Sequence, residues 1–317
     1  MGAGAAIAGG PAPADRHGEG EQAHTGPTET RRLFLLQRLL DPETKRILTG
    51  LRIRPDWRCL ELGAGVGSVA RWLGEQCPDG RVVATDLDVG PLAGAVGPRV
   101  EVLRHDVTAE AFPTGSFDLI HIRMLLFNLP ARDAVLTRAA DWLAPGGWLV
   151  VEEPDAFPID SSPYPAFRRA VQAGEELAAR TEGMATRWAR GLPEYLRAAG
   201  LVDLGLSVKI QHAGNGAGGN EFWRVLLTQY GPGLLGTGLL TETELAAALA
   251  LFDDPTFVDA AHATVSAWAR RPTFGDGPRP RAGPSAARSA GTRSSGARSS
   301  GPQSSGPRSS GPQSAGR

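Results

Sequence analysis

The 317-residue sequence predicts an α/β fold, a parallel sheet covered by helices on both faces with further helical inserts forming a lid. Three observations carry that expectation. Short apolar runs alternate with helical periods from Trp57 onward; the stretch "CLELGAGVGS" (59–68) joins such a run to a helix through three glycines; and acidic residues close consecutive apolar runs. Strand, tight turn and helix start is the arrangement by which an open α/β sheet brings a ligand against its first βα turn.

Strands are expected near 58–62, 81–86, 99–104, 117–122 and 147–153, with helices near 67–76 and 131–143 and a weak one near 91–96. Before them, "TETRRLFLLQRLL" places Leu33, Leu36, Leu39 and Leu40 on one helical face. Asp41 can cap a second helix with Pro42 at its first position, and Gly50 stops it, so a helical pair is expected to precede the first strand. After "EEPD" come two amphipathic stretches, "PAFRRAVQAGEELAAR" and "ATRWARGLPEYLRAAG". A strand "LGLSVKIQ", helical pieces around "EFWRVLLTQY" and "TETELAAALALF", and a last apolar run "FVDAAHATVSAWAR" complete the body. The sheet does not need the inserts to close, which makes them the lid.

Domain organisation follows from composition. Residues 1–27 and 273–317, rich in Gly, Pro and Ser, are expected to be disordered, leaving 28–272 as one domain with helical cap elements at 28–50, 160–200 and 218–252. Net charge is −1, but the seven arginines and absent acids of 278–317 leave the preceding 277 residues at about −8. A surface built to grip a phosphate backbone would be basic, so nucleic acid is disfavoured as a partner. No run approaches the roughly 18 apolar residues of a membrane span, and the first residues lack the basic and apolar segments of a secretory signal. The expectation is a cytoplasmic protein without a membrane partner. Cys59 and Cys77 make no disulfide framework, and the six histidines lack paired spacing, so no metal is expected.

The ligand is argued from charge. The glycines stand as G-x-G-x-G, with Ser68 where the dinucleotide fingerprint has its third glycine. Asp86 closes the second strand in "VVATD", 23 residues after Gly63, where a carboxylate can accept both hydroxyl protons of a ribose. Asp106 closes the third in "RHDV", placed to meet an exocyclic amine, with Val107 to pack on a purine. Glu61 adds negative charge beneath the turn. Such a rim repels a pyrophosphate and welcomes a cationic adenosine compound, which points to S-adenosylmethionine.

With "LELGAGVGS", "VVATDLD", "RHDVTAEAFPTGSFDLIHIRMLLFNLP" and "LAPGGWLVVEEPD" in order, the chain resembles the Rossmann-like class I S-adenosylmethionine-dependent methyltransferases, in their bacterial small-molecule branch, from about Leu33 to Arg271. The resemblance implies that Gly63, Ala64, Gly65 and Gly67 bring backbone to the methionyl part, with Glu61 beneath them. It also implies that Asp86 with Leu87 holds the ribose, that Asp106 with Val107 holds the adenine, and that Arg123 closes the pocket near the methionyl carboxylate or the acceptor.

Methyl transfer from a sulfonium needs alignment more than activation, and a base only where the acceptor must lose a proton. His121, Glu153 and Asp155 are the candidates for that role, with Glu152 and Glu221 beside Trp223 as further acidic and aromatic neighbours. The expected function is O- or C-methylation of a small-molecule acceptor in natural-product biosynthesis, with a homodimer left open. Two rivals stand beside it. One is a protein of this fold that binds the cofactor and a ligand, or templates a rearrangement, without transferring methyl; the other is a nicotinamide oxidoreductase, which Ser68 and the acidic rim disfavour.

Overall fold

The computed structural model describes residues 27–92, 94, 96–214 and 218–273. The two expected tails fall outside them, apart from Pro27 and Thr273 at their inner ends. In chain order the elements are α1 (Pro27–Gly50), β1 (Arg58–Leu62), α2 (Ser68–Gln76), β2 (Arg81–Asp86), β3 (Val100–Arg104), β4 (Phe117–Arg123) and α3 (Arg132–Trp142). Then follow β5 (Leu143–Asp155), α4 (Pro165–Glu182), α5 (Leu192–Ala198), β6 (Val202–Gly214), α6 (Gly218–Gly236), α7 (Glu242–Ala250) and β7 (Val258–Arg270).

The seven strands form one sheet in the order β3-β2-β1-β4-β5-β7-β6. The first five are parallel, as the alternating pattern requires, but β7 runs antiparallel between β5 and β6. The sheet is therefore mixed, because the last apolar run, whose direction the sequence leaves open, adds an antiparallel strand. Its small residues fill that slot: Ala261, Ala263, Val265, Ala267 and Ala269 are all buried. Because β7 enters from the carboxyl end of β5, its first residues lie at the same edge of the sheet as the glycine turn.

Two local expectations also change. Residues 27–50 form one helix through Pro42 rather than two. A proline inside a helix removes a hydrogen bond at a cost of about 3 kcal/mol. Burial of Leu40, Ile47 and Leu48 and polar anchors from Asp41 and Thr44 to the sheet offset that loss. Asp41 is thus a tertiary ligand, not a cap. The weak helix near 91–96 reduces to one 3-10 turn, Gly90–Leu92.

One core lies between α3, α5 and the sheet, around Leu60, Ile120, Ile122, Leu149, Val151 and Trp142. On the other face Cys59, Val69, Leu73, Leu119 and Val150 pack beneath α1 and α2. A separate aromatic core joins α4, α6 and α7: Phe167 meets Phe257 at 5.4 Å and Trp223 at 5.6 Å between ring centroids, both edge-on. This core also takes in Ala213 of β6 and Ala261 of β7, which seat the three helices on the sheet. Phe167→Ala should therefore cost about 3–5 kcal/mol in a urea unfolding titration, because the fully buried ring leaves a cavity its neighbours cannot fill.

Candidate functional site

At the carboxyl end of β1 the chain turns through Gly63, Gly65 and Gly67 at φ of 66, 56 and 75°. These are left-handed conformations that side chains disfavour. Gly67 also has no room, since a Cβ there would come within 2.7 Å of Val96 and 2.9 Å of Leu92. Gly65 is different: nothing lies within 4 Å of its Cβ direction, so the middle of the turn faces open space. Its N–H donates to Asp86 Oδ2 at 2.9 Å, while Ala64 N–H bonds Thr85 O at the same distance. The turn is therefore tied to the tip of β2. Burial raises the Asp86 pKa against the lowering by amides of Gly65, Asp88 and Leu87. Leu87 beside it is exposed.

Asp106 follows β3 and folds onto its own turn. Its Oδ1 accepts from Thr108 Oγ1 at 2.6 Å and Thr108 N–H at 2.8 Å, and the Thr108 hydroxyl is the main cause that holds its pKa low. Val107 is buried in the core under α3. The structure thus brings Glu61, the glycines and Asp86 together, and sets Asp106 and Val107 in a neighbouring turn braced by Arg138 on the carbonyls of Val107 and Thr108.

Beneath the turn, on the face covered by α1 and α2, lies a buried charged network. Glu61 on β1 and His121 on β4 are register partners, as are Arg123 and Glu152 on β4 and β5, and Glu152 and Ser266 on β5 and β7. His121 Nδ1 is 2.8 Å from Glu61 Oε2 and Nε2 is 3.1 Å from Glu152 Oε2. Glu152 also accepts from Thr44 Oγ1 at 2.5 Å and Ser266 Oγ at 2.7 Å. Arg123 donates to Thr44 Oγ1 at 2.9 Å, to Asp41 Oδ1 at 3.1 Å and to Ser68 Oγ at 3.3 Å, and Ser68 donates to Asp41 at 2.9 Å.

Burial alone would lower the His121 pKa, but the charge of Glu61 and hydrogen bonds to Glu152 and Glu61 outweigh it and hold the ring up at about 9. Burial pushes Glu152 up, yet its bonds and charge contact with His121, with Arg123 and Thr44 adding to them, bring it below the usual carboxylate range.

His121, Glu153 and Asp155, the expected candidates for a base on the acceptor, are all buried and each is engaged by protein partners. His121 has no exposed surface, and both its nitrogens face carboxylates. Glu153 projects from the opposite face and accepts the N–H groups of Leu126 at 2.8 Å and of Leu125 and Phe127 at 3.2 Å. Burial raises its pKa to about 7 against those three bonds. It fixes the turn after β4, where Met124 sits at φ 55° and Leu125 packs on Gly63. Asp155 accepts the N–H groups of Phe157 and Arg190, both at 3.2 Å. Arg123 faces Asp41 rather than open space, and Glu221 pairs with Arg31 of α1.

At the lid the structure assembles a pair that the sequence did not single out. His262 Nε2, near the start of β7, lies 3.5 Å from Glu175 Oε1 on α4, and both atoms are buried without a hydrogen-bond partner. Trp223 of α6 stands edge-on to the imidazole at 4.7 Å, and Arg187 donates to the other Glu175 oxygen at 2.9 Å. A cavity of about 300 Å³ lined by Arg58, Arg81, Glu101 and Phe117 lies at the amino ends of the strands, remote from this edge. Among the described residues there is no cluster of three or more His, Cys, Asp or Glu fit for a metal, and no helix long and apolar enough to cross a membrane.

A sheet of this order with an antiparallel seventh strand, and a glycine turn tied to a carboxylate at the tip of β2, defines a class I S-adenosylmethionine-dependent methyltransferase. The chain belongs to the methyltransferase domain family, whose model matches residues 30–204, more than half its length. Methyltransferase str2 of Strobilurus tenacellus is 39% identical over 110 residues, which cover 34% of this chain and 39% of that protein. Trans-aconitate 2-methyltransferase of Mycobacterium tuberculosis is 27% identical over 150 residues, covering 44% and 56%. The matched segments thus span about half or less of those relatives' lengths, and the relatives are not confined to bacteria as the expected branch was. Phosphoethanolamine N-methyltransferase 2 of Haemonchus contortus shares the fold, with a TM-score of 0.53 at 15% identity, covering 80% of this chain and 60% of that one.

The buried imidazole gives a pH signature. A pKa raised from 6.5 to about 9 makes a stabilising contribution that is complete below pH 6.5 and is lost as pH rises through 9. At roughly 1.4 kcal/mol per unit this amounts to about 3 kcal/mol. Urea unfolding of wild type and His121→Gln should show a stability gap that narrows steadily between pH 6.5 and 9.5.

Proposed function

We propose that the protein transfers the methyl group of S-adenosylmethionine to a small-molecule acceptor, at oxygen or carbon, in the making of a natural product. The single observation that carries this reading is the glycine turn, open in front of Gly65 and flanked by Glu61 and Asp86. An acidic, partly buried rim suits a cationic nucleoside and not a diphosphate. In this reading Glu61 takes the ammonium, the backbone of Gly63, Ala64, Gly65 and Gly67 lies against the methionyl part, and Asp86 beside Leu87 takes the ribose hydroxyls. Asp106 and the backbone at Val107 meet the adenine. The cofactor supplies an electrophilic methyl on a sulfonium, so the chain's task is to orient the acceptor and exclude water.

On the acceptor side, α1, α4 and α6 cover the carboxyl edge. The pair His262 and Glu175 is our candidate for the acceptor's proton: the imidazole accepts it and the carboxylate orients the ring and stabilises its cation. Trp223 supports the ring from α6. The methyltransferase names of the relatives and the mildly acidic body support a small organic acceptor over a nucleic acid.

Two measurements test the reading. Asp86→Ala should weaken S-adenosylhomocysteine in calorimetry by about 1.5–3 kcal/mol, the scale of hydrogen bonds to a charged group; unchanged affinity would displace the ribose from β2. Release of S-adenosylhomocysteine during incubation with candidate hydroxylated acceptors separates transfer from mere binding. With an acceptor that turns over, His262→Gln should lower kcat about 10²–10⁴-fold while cofactor affinity stays, and an unaffected kcat would remove His262 from proton transfer.

A further inference from the structure

The buried network has a donor and acceptor count that constrains its protons. Ionised Glu61 and Glu152 only accept, and neutral imidazole has only one N–H to give. His121 places a nitrogen on each, at 2.8 and 3.1 Å. Glu152 also accepts from Thr44 and Ser266, one on each oxygen, as an ionised carboxylate does. Thr44 in turn accepts from Arg123, which directs its own hydrogen to Glu152. A neutral ring would set a lone pair against a carboxylate in a site closed to water. With both carboxylates ionised, the arrangement closes without conflict only when His121 carries both protons.

That cation links the strand before the glycine turn to α1, beside the link that Ser68 and Asp41 make. Through Nδ1 it grips Glu61, two residues before Gly63; through Nε2 it grips Glu152, which holds Thr44 of α1. The same turn of α1 is held from the far side by Arg123 and Ser68 through Asp41, Ser68 being the first residue of α2 after the glycine turn. Ser207 of β6 donates to Glu43, so Asp41, Glu43 and Thr44 of α1 are each seated on the sheet or on α2.

We propose that His121 is a positioning residue that couples cofactor capture to the seating of α1. Its imidazolium holds Glu61 in place for the cofactor's ammonium and, through Glu152 and Thr44, holds α1 across the carboxyl edge. The inference rests on the reading of Glu61 given above and adds a consequence: binding of the amino-acid end of the cofactor and closure of α1 are one linked equilibrium, each favouring the other by the same factor.

The experiment uses the full chain and two probes, S-adenosylhomocysteine and 5′-methylthioadenosine, a thioether nucleoside that lacks the amino-acid end. In calorimetry His121→Gln should weaken the first about tenfold or more and leave the second within about twofold. Thr44→Val, which keeps the imidazole, should weaken S-adenosylhomocysteine by about threefold and abolish the extra amide-exchange protection that this ligand gives residues 38–48 in the wild type. Nitrogen-15 spectra of the wild type at pH 7.5 should show both His121 nitrogens protonated. Equal losses for the two probes in His121→Gln would reduce the residue to a fold role and overturn the proposal, as would unchanged affinity or a singly protonated ring. Should His121→Gln fail to fold, the wild-type spectra and Thr44→Val decide. Failure of the wild type to bind either probe would overturn the cofactor reading itself, and the coupling with it.

Discussion

A protonated imidazole held between two carboxylates in a closed interior is the interaction on which the site depends. Charges buried this deeply survive only when each is paired and hydrogen-bonded, and removal of one partner leaves the others uncompensated. His121 meets that condition with Glu61 and Glu152, and Thr44, Ser266 and Arg123 complete the set. The network draws on β1, β4, β5, β7 and α1. It therefore fixes the register in which strands remote in sequence must meet, and it accounts for a helix that continues through Pro42.

The two faces of the sheet divide the work. On the face under α1, a buried charged network lies beneath the glycine turn. On the other, Glu153 and Asp155 bind backbone N–H groups and shape the loops after β4 and β5, so that Leu125 lies against Gly63. A carboxylate that accepts several amides is a scaffold for a strained turn, and Met124 at positive φ is such a turn. Helices α4, α6 and α7 share an aromatic core around Phe167, and His262 and Glu175 meet between β7 and α4.

Much of this was legible in the residues. Alternating apolar runs located six of the seven strands, and the glycine spacing marked the turn that the structure ties to Asp86, because turns and strand ends obey short-range rules. Three things were not legible. β7 is rich in alanine, which carries no period of its own, so only its slot between β5 and β6 defines it. Asp41 and Pro42 satisfy every local rule for a helix start, and a contact 82 residues away to Arg123 overrides them. His121, Glu153 and Asp155 carry chemistry suited to a base, but their faces and partners are set by strand pairing.

By itself, then, the sequence determined the fold class, the family motifs and the glycine turn with its acidic neighbours, since these depend on periodicity, glycine and charge within short windows. Only the tertiary structure decided which acids and histidines face the crevice, which are sealed beneath it and which meet across the lid. Those assignments depend on desolvation and on partners dozens of residues away, neither of which a linear pattern encodes.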